Sequence, residues 1–253
     1  MADRKLRVLT NRRKRRRDSL FRFFYSIAAS VANKSSEFMV WQLNKSIALF
    51  SIEKVNLDTY VTDQSYANIA KFNHNSYSDH LSYLGCLVNE LPKCNESQYR
   101  ILCHGVRNGN ELHVLRDLLL KTYSDLVIFG TDISPTILNV SNGIKMDFHD
   151  SLPENYGKFD LIFSNSLDQA HNPRAALNNW IDSLNNKSTS RLALLMTANH
   201  GKLGSSQLDP FSCEPEVFPF LLLKWFGPRA YIDQVIFPFG EASRSVIFLI
   251  KRA

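Results

Sequence analysis

The residues of this 253-residue sequence best suited to chemistry are two glycines and an acid. Gly105 and Gly109 stand four apart in Arg100-Ile-Leu-Cys-His104-Gly105-Val-Arg107-Asn-Gly109-Asn-Glu111. An apolar run leads into them and a helical pattern (Leu112, Leu115, Leu118, Leu119) leads out. This reads as strand, tight turn, helix. Glycine tolerates positive φ and lets a ligand approach the backbone. The free N–H groups at the following helix start favour a negatively charged ligand group. A second apolar run, Leu126 to Gly130, ends at Asp132, 23 residues past Gly109. An acid there can accept hydrogen bonds from two ribose hydroxyls. The pair describes a nucleotide-type pocket at the carboxyl edge of a parallel sheet.

The elements that must position these residues alternate from Arg100 onward. Strands are expected at 100–104, 126–130, 144–146, 159–164 and 191–197, and helices at 109–121, from Pro135 and at 174–184. Strands separated by helices imply a parallel sheet covered on both faces. Two β-rich runs, 231–237 and 245–251, are joined by only a short connection and must be antiparallel neighbours. The expected fold is α/β, a Rossmann-like doubly wound, mostly parallel sheet with a C-terminal antiparallel β-hairpin. Upstream, 79–91 reads as a helix with Leu81, Leu84, Val88 and Leu91 on one stripe, ended by Pro92. Residues 56–76 read as a polar, aromatic loop with a short helix. Residues 198–220 read as a long loop of the kind that serves as a lid. The expected division is a basic arm 1–18, a helical extension 19–95 and the sheet domain 96–253.

The net charge of +6 is uneven. Residues 1–17 carry nine Lys/Arg and one Asp, so +8, and the remaining 236 residues carry −2. A near-neutral body argues against a broad nucleic-acid-binding face. The arm, residues 4–17, is the segment suited to RNA or an anionic membrane. Residues 20–32 follow as a short apolar run that has features of a secretory signal. Arg22 interrupts it, and the favoured reading is an amphipathic helix packed on the domain or lying on a membrane surface. Four cysteines without C-x-x-C and seven histidines without H-x-x-x-H imply reduced thiols in a cytoplasmic setting, and no metal.

The array resembles the class I S-adenosylmethionine-dependent methyltransferases, over about residues 95–200 with a tail to 253. The glycine loop, Asp132 in Gly-Thr-Asp-Ile-Ser, Met146-Asp147-Phe148-His149, and the segment Phe159 to Pro173 carry the resemblance. It implies S-adenosylmethionine as cofactor. Gly105 and Gly109 would admit its amino-acid portion, and Asp132 would hold the ribose hydroxyls. Asp147 would accept from the adenine amino group, with Phe148 and Ile133 against the ring. Ser164 and Asn165 would line the pocket beside the methyl group. Asp168 and His171, after the strand facing that methyl, are the general-base candidates for a hydroxyl acceptor.

The sequence departs from the family at two places. An acid usually stands two residues before the first glycine, where this chain has Cys103, and the middle glycine is Arg107. The methionine carboxylate and ammonium need other partners, for which Arg107, Asn108 and His104 are the candidates. The acceptor is not legible; a small-molecule or glycan hydroxyl is favoured. The alternatives are an RNA methyltransferase using the arm, a non-catalytic module that holds RNA or a membrane, and an NAD-dependent oxidoreductase sharing the glycine turn and acid.

Overall fold

The computed structural model describes residues 50–71, 77–93, 96–197, 205–238 and 245–253. The basic arm and the segment 20–32 lie outside the described residues. The main sheet has seven strands in the order β4-β3-β2-β5-β6-β9-β8. These are β2 (Gln98–His104), β3 (Asp125–Asp132), β4 (Gly143–Lys145), β5 (Leu161–Ser164), β6 (Arg191–Thr197), β8 (Ala230–Ile236) and β9 (Ser245–Arg252). β4, β3, β2, β5 and β6 run parallel; β9 is antiparallel to both β6 and β8. The doubly wound sheet with a C-terminal antiparallel hairpin is thus present.

Two cores follow from the period-two alternation of the strands. Ile101 and Cys103 of β2, Leu161 and Phe163 of β5, and Leu249 of β9 face one side. There they meet Leu84 and Leu87 of α2 (Tyr77–Glu90) and Leu112 and Leu115 of α3 (Asn110–Leu119). Leu102, Ile162, Leu194 and Phe248 face the other side. There they meet Leu177, Trp180 and Ile181 of α4 (Pro173–Asp182) and Phe218 and Leu222 of α5 (Phe218–Phe226). At the amino edge, buried Asp160 accepts from Arg100 N (2.9 Å), Asn185 Nδ2 (2.8 Å) and Lys187 Nζ (2.9 Å), tying β2 and the turn after α4 to the start of β5.

Two segments differ from their sequence reading. Residues 57–70 form a full helix, α1 (Leu57–Ala70), capped by the Asn56 side chain on Asp58 N. The stretch read as one loop contains β7 (Phe211–Cys213), paired antiparallel with β1 (Phe50–Ile52), and the start of α5. The short helix expected from Pro135 is a 3₁₀ helix, Pro135–Asn139. β1 and α2 precede residue 96, yet β1 pairs with β7 and α2 packs on α3 and β8. No described helix is long and apolar enough to cross a membrane.

Candidate functional site

β2 pairs with β3 on one side and β5 on the other, so the chain leaves the carboxyl ends of β2 and β5 in opposite directions. That reversal opens a crevice, the usual ligand position in such sheets. The glycine turn forms one wall. Gly105 (φ +72°) and Gly109 (φ +76°) are left-handed, and so is Arg107 (φ 42°). Gly105 N and Val106 N donate to Thr131 O (2.8 and 3.2 Å), which seats the turn on β3. A Cβ on Gly105 would lie 2.4 Å from Ser166 Oγ, so the turn packs directly under the loop after β5. Gly109 caps α3 and lines neither of the two cavities of the crevice.

The crevice holds two cavities. The larger, about 500 Å³, runs from the glycine turn (Gly105, Arg107) past Asn165 and Asp168 to Met196 and Phe211. The smaller lies beside Gly105, Asp132, Ile133, Asp147 and Phe148, and holds only about 10 Å³. That is room for about one water at most. Helix α1 fills it. Tyr60, Gln64 and Asn68, at four-residue steps, are its buried face. Asn68 Nδ2 donates to Asp132 Oδ1 (3.0 Å), Tyr60 Oη to Gln169 O (2.7 Å), and Gln64 Nε2 to Leu208 O. Asp132 also accepts from Ser134 N (2.8 Å) and Arg107 N (3.0 Å). Burial raises the pKa of its carboxyl against these bonds.

The structure separates the expected site residues. Asp132, Ile133, Asp147 and Phe148 gather at the small cavity, and Arg107, Asn165 and Asp168 at the large one; Gly105 touches both. Period two turns the His104 ring to the far face, buried and stacked on Trp180 (4.9 Å, 15°), with Nδ1 2.8 Å from Thr131 Oγ1. It lines neither cavity. The Ser164 hydroxyl is buried and donates to His104 O (3.3 Å). The His171 ring stacks on His149 (3.9 Å, 28°), with Tyr60 edge-on (4.9 Å), and it lines neither cavity. His149 Nδ1 lies 2.6 Å from Asp147 Oδ1, and its Nε2 accepts from Asn172 N (3.3 Å). Both nitrogens of His149 are therefore engaged, and His171 joins the group through its ring stack. Burial works to raise the Asp147 carboxyl, but the His149 bonds and charge outweigh it and its pKa is lowered. Burial and the charge of His149 lower the pKa of His171.

Glu111, His80 and Tyr83 belong to the larger cavity although the sequence pattern does not mark them. Glu111, one residue into α3, is only 4% exposed. Its Oε1 is 3.5 Å from His80 Nδ1, which also contacts Tyr83 Oη. Burial raises its carboxyl to about 7, against hydrogen bonds and the Arg107 charge. Burial also lowers His80 to about 4. The only sequence signal was an acid at the start of a helix, which is ordinarily a solvated cap.

No protein-family model and no curated protein matches the sequence. The likeness lies in the three-dimensional structure. The plantazolicin methyltransferase BpumL, in complex with SAH, is 14% identical, covers 87% of this chain and 100% of its own, and superposes with a TM-score of 0.55. The mitomycin 7-O-methyltransferase MmcR is 13% identical over 77% of this chain and 68% of its own, TM-score 0.52. The CMeT domain of the citrinin polyketide synthase is 14% identical over 69% and 51%, TM-score 0.50. The fold is that of the class I methyltransferases. At these identities the likeness concerns architecture, so the chemistry has to be argued from this chain's own residues.

Proposed function

We propose that the protein is an S-adenosylmethionine-dependent methyltransferase acting on a hydroxyl of a small molecule or glycan. The observation that carries this is the left-handed glycine turn under a cavity of about 500 Å³, with Asp132 at the end of the adjoining strand. The side chains present fit such a cofactor. The Arg107 guanidinium donates through Nη1 to Lys71 O (3.2 Å), while its Nε is buried with no hydrogen-bond partner among the described residues, and a free cationic donor there suits a carboxylate. The SAH in the BpumL complex supports the cofactor, and the name of MmcR supports an oxygen acceptor.

The cofactor supplies a methyl group already activated by its positive sulfur. The protein's share is to bind, orient and exclude water. Asp132 accepts the ribose hydroxyls, Asp147 accepts from the adenine amino group, and Ile133 and Phe148 flank the ring. Asp168, at the wall of the larger cavity, takes the proton from the acceptor hydroxyl. The far end of that cavity, with Leu195, Met196 and Phe211, leaves an apolar seat for the rest of the acceptor. The reading is tested by calorimetric titration with S-adenosylmethionine, S-adenosylhomocysteine and NAD(H). Micromolar binding of the first two is expected, weakened at least about tenfold by Asp132→Ala through loss of a charged acceptor. Binding of NAD(H) alone would make the protein an oxidoreductase, and no binding would sink both.

Helix α1 sets the order of events. The adenosine groove is filled by Tyr60, Gln64 and Asn68, so α1 must withdraw before a nucleoside enters. Asn68→Ala removes one tie to Asp132, worth about 1 kcal/mol, and is expected to speed S-adenosylhomocysteine association about fivefold. Stopped-flow tryptophan fluorescence measures this. An unchanged rate would mean that α1 opening does not limit entry.

A further inference from the structure

Among the described residues, four buried side-chain polar atoms have no hydrogen-bond partner: His104 Nε2, Arg107 Nε, Glu111 Oε2 and Ser190 Oγ. Two of them, one on a guanidinium and one on a carboxyl group, come from residues lining the same cavity. A buried polar atom with an unused donor or acceptor is costly unless something completes it. Neither can be completed by the other's free atom, since both remain without a partner. What completes both is a ligand with a negative group beside a positive one.

We propose that Glu111 supplies the anionic half of a zwitterion site, opposite Arg107, and that an α-amino-acid end enters it with release of a proton from Glu111. This rests on the methyltransferase reading, which places such an end, the methionine portion of the cofactor, over the glycine turn. The geometry gives a reason for Cys103. Cys103 points from β2 to the face covered by α2 and α3, and the Glu111 carboxylate acts on it from α3, adding to burial in raising the thiol pKa. A carboxylate carried by α3 therefore occupies the neighbourhood that an acid at position 103 would reach. The anion has moved from the strand to the helix.

The proton follows from the groups that face Glu111. α2 presents Asp79, His80 and Tyr83; the glycine turn presents Arg107; β3 presents Asp132; β2 presents Cys103; the loop after β5 presents Asn165. Burial keeps Glu111 protonated to about pH 7 in the free protein. An incoming ammonium stabilises the ionised form, so the carboxyl gives its proton to solvent and the ammonium keeps its own.

The test compares two nucleosides by calorimetry on the full chain. S-adenosylhomocysteine carries the amino-acid end and 5′-methylthioadenosine lacks it. Wild-type protein is expected to prefer the former. Glu111→Gln is expected to cut that preference about tenfold or more, the size of one charge-assisted hydrogen bond, while leaving methylthioadenosine affinity unchanged. At pH 6, across buffers of different ionisation enthalpy, wild type is expected to release about one proton on binding S-adenosylhomocysteine and Glu111→Gln about none. Retention of both the preference and the proton release in Glu111→Gln overturns the proposal. So does an equal loss of both nucleosides. Equal affinity of wild type for the two overturns it while leaving the methyltransferase reading intact. If neither nucleoside binds wild type, both fall.

Discussion

Replacement of Trp180 by alanine is expected to lower the unfolding free energy by about 3–5 kcal/mol. The side chain is 1% exposed and sits where α4 meets the sheet. It stacks on His104 and meets Phe148 edge-on at 5.5 Å, while its Nε1 donates to Phe148 O (3.0 Å). Truncation therefore leaves a large cavity and an unpaired buried carbonyl together. Trp180→Phe keeps most of the volume and loses the hydrogen bond, at about 1–2 kcal/mol. Because Phe148 walls the small cavity, the alanine variant is also expected to bind adenine nucleosides more weakly. Guanidinium unfolding followed by far-UV circular dichroism measures the stability, and calorimetry the binding. A loss below about 1 kcal/mol would mean that the site collapses around the missing ring.

The parts of the molecule that were legible in the sequence are those where local chemistry and fold agree. Ile101, Leu102 and Cys103 are apolar in succession because β2 is buried on both faces, as parallel strands are. Gly105 and Gly109 announce a turn because positive φ is required there. Asp132 and Asp147 follow their strands at the carboxyl edge, where the crevice lies. The α4 stripe of Leu177, Trp180 and Ile181 has plain helical spacing. Helix α1 was hidden for the opposite reason. It buries Tyr60, Gln64 and Asn68 and exposes Leu57, Val61, Tyr66 and Ile69, so a search for an apolar stripe finds none. Its interior face is polar because it covers a polar groove. Glu111 was hidden because its surroundings are assembled from α2, β2 and the loop after β5. No local pattern distinguishes a buried acid in a first helical turn from a solvated one. Which way His104 and Ser164 turn was not legible, for want of parity. They end strands that are buried on both faces, and only the register decides which way a side chain turns.

The second large expected effect is a loss of stability in acid that traces to one histidine. His104 is buried under Trp180, and burial alone lowers its pKa to about 3. In the unfolded chain a histidine titrates near 6.5. Between those values the unfolded state binds a proton that the folded state does not, so stability falls as the pH falls. The contribution is fully present above about pH 6.5 and is lost at about 1.4 kcal/mol per pH unit below it. At pH 4.5 the loss from this group alone is about 3 kcal/mol, a large share of the 5–15 kcal/mol typical of a domain. His104→Gln retains a polar group for Thr131 Oγ1 and carries no titrating ring. Its stability at pH 7 is expected to be lower than wild type, since the stack on Trp180 is gone, yet its decline between pH 6.5 and 4.5 is expected to be shallower by that same slope. Unfolding curves at four pH values across this window give both quantities. Parallel pH profiles for the two proteins would show that the ring is charged in the folded state, with a counter-charge near Trp180. Below pH 6.5 His80, lowered to about 4 by burial, adds to the wild-type slope in both proteins equally and cancels in the comparison. The difference between the two slopes therefore isolates the proton that the folded protein keeps off His104.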